Sequence, residues 1–222
     1  MLRNLGHLFL SPRLPRIPRI RLAPAHRLLV LVTSLSFYVL TANANDATVA
    51  EQLKAVLLPE PKQIAPFQLV DQHNRAFTEK SFAHKWTFVF FGYTNCPDIC
   101  PTTLSELETL SKNLLPVPPM ENNVQYVFAT VDPKRDTPKQ LLTYISYFDE
   151  NFVALSGTSD QIDVLTRQLN IKYKLGEGYK GDYPVSHSSA LLLIDPKGRY
   201  FARFPAPHYA KEIRTLFLAL NP

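Results

Sequence analysis

The stretch Trp86-Thr-Phe-Val-Phe-Phe-Gly-Tyr-Thr-Asn-Cys-Pro-Asp-Ile-Cys-Pro101 carries the decisive signal for the fold. Trp86 to Phe91 is a continuous apolar and aromatic run of strand length, the pattern of a central strand buried on both faces. Gly92 ends it. Pro101 then stands at a first helical position and opens Thr102 to Leu115, where Leu104, Leu107, Leu110, Leu114 and Leu115 fall on one face. Strand, loop and helix in this order place Cys96 and Cys100 between the carboxyl end of a strand and the amino end of a helix.

The pattern continues outward. Val124 to Val131 reads as a second buried strand. Thr137-Pro138 followed by Gln140 gives a capping Thr, a first-turn Pro and a capping-box Gln for a helix to about Phe148. A short strand near Phe152 to Leu155, a helix over Ser159 to Leu169 and a polar loop from Gly176 to Pro184 follow. Ala190 to Ile194 and Arg199 to Phe204 flank Asp195-Pro-Lys-Gly198, a strong hairpin turn, and Ala210 to Leu220 closes the chain as a helix. Upstream, Phe67 to Val70 and Arg75 to Phe77 flank the turn-rich Asp71-Gln-His-Asn74. Pro59, Pro61 and Pro66 mark a linker, so 45–63 is expected to connect and the compact domain to begin at Ile64. Parallel strands with crossover helices, then an antiparallel hairpin and a last helix, describe an α/β protein. Its expected fold is thioredoxin-like: a central mixed sheet flanked by helices, with an N-terminal extension.

A chain of 222 residues, 45% apolar and 19% charged, suits one globular domain and a modest appendage. Its net charge of +5 suggests an anionic partner until the charge is located. Six arginines and no acid lie in residues 1–44, which leaves 18 basic against 19 acidic residues from Asn45 onward. A near-neutral globular part argues against a nucleic-acid function. Behind the arginines, Leu28 to Leu40 is apolar and Thr41-Ala-Asn-Ala44 supplies an Ala-x-Ala site, the order of a secretory signal. The run is short for a spanning helix, which needs roughly 17–25 residues. Residues 1–44 therefore read as a signal peptide or, alternatively, a short membrane anchor, and the Arg-rich, acid-free character also suits an organelle transit sequence.

The two cysteines are four apart. A disulfide between them closes too small a loop to stabilise the fold much, so the pair is more useful as chemistry than as a staple. At a helix start, unpaired amides and the positive dipole end are expected to lower a thiol's pKa. Two thiolates are too few for a closed zinc site, and no second Cys pair exists. From Asn45 onward the histidines are His73, His84, His187 and His208. His187, in Val185-Ser-His-Ser-Ser-Ala190, directly precedes the strand that opens the C-terminal hairpin. In a thioredoxin-like layer that loop faces the cysteine loop. A loop histidine alone is by default solvated; the cysteine pair and the fold order reverse that reading. Two soft thiolates and one imidazole suit copper, with Cu(I) preferred and Cu(II) accommodated by an added ligand.

Gly92-Tyr-Thr-Asn-Cys-Pro-Asp-Ile-Cys-Pro-Thr-Thr-Leu104, Val131-Asp-Pro-Lys-Arg-Asp-Thr-Pro138, His187 and Asp195-Pro-Lys-Gly-Arg199 together resemble the Sco/SenC copper-binding proteins, in that family's order and over Ile64 to the C-terminus. The resemblance implies that Cys96, Cys100 and His187 are copper ligands, with Cys96 and Cys100 also a redox-active pair. It implies a metallochaperone that assembles the dinuclear copper centre of cytochrome c oxidase, by delivering copper or by keeping that centre's cysteines reduced. The partners it implies are the oxidase's copper-bearing subunit and a periplasmic copper donor or thiol reductant. The expected location is the periplasm, free or tethered to the inner membrane, or, under the transit-sequence reading, the mitochondrial inner membrane and intermembrane space. The long Arg/Pro leader departs from the family's usual tether.

Asp132 and Asp136 sit where turn formers and caps are common. Their functional alternative, shared with Asp98, is to support the ligands from behind or to form an acidic docking patch. Tyr93 and Phe91 read as core or rim. A metal-independent thiol-disulfide oxidoreductase using Cys96 and Cys100 is the competing function, weakened by three intervening residues where that class has two. A peroxiredoxin-type peroxidase wants Pro and Thr where Val89 and Tyr93 stand. A structural module with an incidental disulfide leaves His187 unexplained.

Overall fold

Alternation along three adjacent strands divides the core between the two faces of one sheet. Phe88 and Phe90, Tyr126 and Phe128, and Leu191 and Leu193 point to one face, whereas Val89 and Phe91, Val127 and Ala129, and Leu192 and Ile194 point to the other. This is the period-two pattern of strands covered on both sides, which explains why they read as unbroken apolar runs.

In the computed structural model the described residues are 47–117, 123–178 and 182–220. They begin helical over 47–56 (α1) and continue through β1 (Leu57–Gln63), β2 (Leu69–Asp71), β3 (Ala76–Phe77), β4 (Trp86–Gly92), α2 (Ile99–Leu114) and β5 (Val124–Thr130). Then come α3 (Pro138–Ile145), β6 (Val153–Ser156), α4 (Ser159–Gln168), β7 (Tyr173–Leu175), β8 (Val185–His187), β9 (Leu191–Ile194), β10 (Arg199–Phe204) and α5 (Ala210–Leu220). The large sheet runs β1-β10-β9-β4-β5-β6-β2-β3. β4, β5 and β6 are parallel, and the other pairings are antiparallel. Helices α2, α3 and α5 contribute Leu104, Leu107, Leu141, Ile213 and Phe217 to one core; α4 contributes Ile162 and Leu165 to the other. The mixed, helix-flanked, thioredoxin-like layer is as expected. The Asp195 turn is also seen: its carboxylate accepts from the amides of Lys197 and Arg199 at 3.0 and 2.9 Å, and Gly198 supplies a left-handed φ of 72°.

Two local expectations differ. The segment read as a linker is structured: after α1, residues 57–63 pair with β10 as an edge strand through an irregular register. Edge position tolerates Pro59 and Pro61, which lack the N–H a central strand needs, so the prolines marked an edge and not a gap. The loop expected to carry His187 is instead the second strand of a small sheet, β7 with β8, separate from the main one. The expected signal or anchor over 1–44 lies outside the described residues. Among the described residues, no helix is long and apolar enough to cross a membrane.

Candidate metal centre

Cys96 lies in the loop after β4, and Cys100 is the second residue of α2, which begins two residues ahead of Pro101. The helix therefore buries Cys100 completely, while Cys96 stays at 9% exposure. Neither is in a disulfide. Gly92, the last residue of β4, leaves room for the second sulfur: a Cβ there would stand 2.7 Å from Cys100 Sγ and 2.8 Å from Phe128 Cε2.

β8 brings the third group. His187 Nε2 approaches Cys100 Sγ to 3.5 Å, and the ligand atoms of Cys96, Cys100 and His187 all lie within 4.8 Å of one another. Among the described residues no other cluster of three or more His, Cys, Asp or Glu side chains meets that condition. Nδ1 of His187 is 2.9 Å from the Ser188 carbonyl, which can only accept, so Nδ1 carries the proton and Nε2 keeps a lone pair facing the sulfurs. Burial holds the imidazole pKa below its ordinary value, which keeps the ring neutral at pH 7. Phe90 and Tyr93 fix the ring edge-on, with centroids 6.1 and 5.9 Å away.

The expectation of a lowered thiol pKa does not hold for Cys100. Burial, foremost, and the adjacent Cys96 sulfur push its thiol far above the usual range. Desolvation of a thiolate in this pocket outweighs the helix dipole, so Cys100 is a thiol until something displaces its proton. Tyr93 presents its hydroxyl to Cys96, and burial followed by the nearby sulfurs raises the phenol's own pKa.

The three acids occupy different places. Asp136 is fully buried and ties the cysteine loop to the β5–α3 connection. It accepts from the Thr94 amide and hydroxyl at 3.0 and 2.6 Å and from the Thr130 hydroxyl at 2.6 Å. Burial raises its pKa against those hydrogen bonds. Asp132, also fully buried, pairs with Arg135 and accepts from the Tyr183 hydroxyl at 2.6 Å. Neither can form an acidic docking patch, because neither reaches the surface. Asp98 is exposed at the N-cap of α2, with no side-chain capping bond and outside the Cys/His cluster. Phe91 is buried in the opposite core. His208 is buried elsewhere, between Thr103 and the Phe204 carbonyl. Phe90, Tyr93, Arg135 and Tyr183 all line or brace the centre. Of these the sequence singles out only Tyr93, and Tyr183, in a polar loop, carries no signal there.

The SCO1/SenC family model matches residues 57–217. The chain belongs to the SCO1/SenC family. A SCO2-like protein of Rickettsia prowazekii is 39% identical over 158 residues, 68% of this chain and 74% of that one. Among solved structures, Bradyrhizobium japonicum ScoI with copper bound is 34% identical with a TM-score of 0.63, covering 70% of this chain and 98% of its own. Yeast Sco1 with copper bound is 30% identical with a TM-score of 0.67, covering 72% and 88%. The SCO1/SenC match spans β1 to α5, and so includes the edge strand that the proline pattern disguised.

Proposed function

We infer that this SCO1/SenC domain binds one copper ion through Cys96 Sγ, Cys100 Sγ and His187 Nε2. The observation that carries the reading is the convergence of the three donor atoms within 4.8 Å, with the imidazole tautomer set by Ser188 so that its lone pair faces the thiols. Two soft sulfurs and a neutral nitrogen suit Cu(I), and Cu(II) with one more ligand. The copper-bound ScoI and Sco1 relatives support the same reading. Binding requires both thiols to lose protons, and for Cys100 the metal must overcome the burial that holds its proton on.

The biological role that follows is assembly of the dinuclear copper centre of cytochrome c oxidase. The domain gives up its copper to the copper-bearing subunit, or its Cys96/Cys100 dithiol becomes a disulfide while that subunit's disulfide takes up the two electrons and two protons. A periplasmic copper donor or thiol reductant resets the domain. Residues 1–44 then serve as an export signal or a membrane tether. Three residues stand between Cys96 and Cys100 where thiol-disulfide oxidoreductases have two, and a purely metal-independent oxidoreductase would leave the approach of His187 Nε2 to the Cys100 sulfur without a use.

The test is competition with a colorimetric Cu(I) chelator. The reduced protein is expected to take one Cu(I) per chain, either Cys→Ser variant to lose tight binding, and His187→Ala to weaken it with the fold intact. Failure to compete with a moderate chelator, combined with rapid reduction of a model disulfide, would replace this reading with the oxidoreductase one.

A further inference from the structure

His187 is carried by β7 and β8, a sheet of its own with no ladder bond to the main sheet. Three residues, 188–190, link it to β9 of the main sheet, and side-chain ties must fix the rest of its placement over the thiols. Where the chain enters β8, a group of these ties meets at Arg135. The guanidinium lies over the Tyr183 ring at 3.9 Å and over the Tyr93 ring at 5.6 Å, and donates to the Tyr183 carbonyl at 3.1 Å. Asp132 completes the group, pairing with Arg135 and accepting from the Tyr183 hydroxyl at 2.6 Å. Arg135 thus touches Tyr183, which leads into β8, and Tyr93, which packs on the His187 ring and reaches Cys96.

We propose that Arg135 and Tyr183, held by Asp132, are positioning residues that clasp the β7–β8 hairpin against the cysteine loop and so keep His187 within bonding distance of the sulfurs. Asp132 fixes the guanidinium in place. The flat, delocalised cation can stack on two rings and donate to a carbonyl at the same time, which a lysine ammonium cannot do. With the clasp released, the short ladder of Tyr173 with His187 and Leu175 with Val185 stands without support, so its ends open more often and β8 no longer holds a fixed distance from Cys100. The proposal rests on His187 being a ligand in its metal-binding part, but the clasp itself can be tested without metal.

The experiment uses Tyr183→Phe, which removes the bond to Asp132 and keeps the ring, and Arg135→Lys, which keeps a cation beside buried Asp132. In metal-free protein, hydrogen exchange is followed at Gly176 and Ser188, whose amides close the two ends of the hairpin at 2.8 Å each. Both variants are expected to exchange at least about 10-fold faster there, with β4 and β5 amides unchanged. Cu(I) affinity is expected to fall roughly 10-fold, as for loss of a group that orients a ligand. Adding Tyr183→Phe to His187→Ala should cost no further affinity, because the clasp acts through that ring. Unchanged exchange at Gly176 and Ser188 in both variants overturns the clasp, even with normal copper binding. A further loss of affinity in the double variant overturns its action through His187. If instead wild type binds Cu(I) no better than His187→Ala, the ligand assignment fails, while faster exchange would still support the clasp.

Discussion

Gly92→Ala perturbs the centre without touching a ligand. The glycine has an ordinary backbone angle, so the cost is steric: a methyl 2.7 Å from Cys100 Sγ and 2.8 Å from Phe128 Cε2, where ordinary contact begins at 3.4 Å. Neither neighbour is the loose end of a flexible chain. Cys100 Sγ is two bonds from a helix backbone, and Phe128 is packed in the core at 1% exposure. Overpacking of this kind costs about 1–3 kcal/mol, which lowers Tm by roughly 2–12 °C in a domain of this size. The sulfur also lies 3.5 Å from His187 Nε2, so a shift that relieves the clash disturbs the donor set, and Cu(I) affinity is expected to drop together with Tm. Calorimetry on the metal-free protein and chelator competition on the reduced protein measure the two effects. Cys100→Ala should recover part of the Tm lost by Gly92→Ala, because it removes one of the two clashes. A Gly92→Ala protein with wild-type Tm and wild-type Cu(I) affinity would refute this account of why β4 ends in glycine.

Three further outcomes are expected. His187 and His208 both have pKa values held below 6.5 by burial. The unfolded chain therefore takes up more protons near and below that pH, and metal-free stability should fall as pH drops from 7.5 to 5, with His208→Gln flattening the slope in a Tm series. Asp136→Ala strands the Thr94 amide and the Thr130 hydroxyl, at about 1–3 kcal/mol for each donor left unpaired, while the Thr94 hydroxyl keeps Asn95 Oδ1 as an acceptor; urea unfolding should register the loss. The Tyr144 hydroxyl is buried with no hydrogen-bond partner among the described residues, so Tyr144→Phe should leave stability unchanged or raise it by up to about 1 kcal/mol in the same assay.

What was legible in the sequence was whatever local pattern controls. Buried strands show as apolar runs, the Thr137 cap and the Asp195 turn use side chains a few residues away, and the Cys pair and His187 could be joined through fold order alone. What escaped depends on long-range partners. β1 is a strand only because β10 offers it an edge, and its prolines resemble a linker until that edge is known. The burial that raises the Cys100 pKa comes from how far α2 extends ahead of Pro101, a boundary that propensity does not place. Asp132 and Asp136 look alike in the sequence as turn acids, yet one holds Arg135 and Tyr183 and the other holds Thr94 and Thr130.

The most direct test of the central claim is a Cu(I) titration against a chelator, run in parallel on the dithiol and disulfide forms of the full chain. The dithiol should bind one equivalent tightly and the disulfide none, since oxidation removes two of the three donors and leaves His187 alone. Equal uptake by both forms, or none by either, would contradict the Cys96, Cys100 and His187 centre.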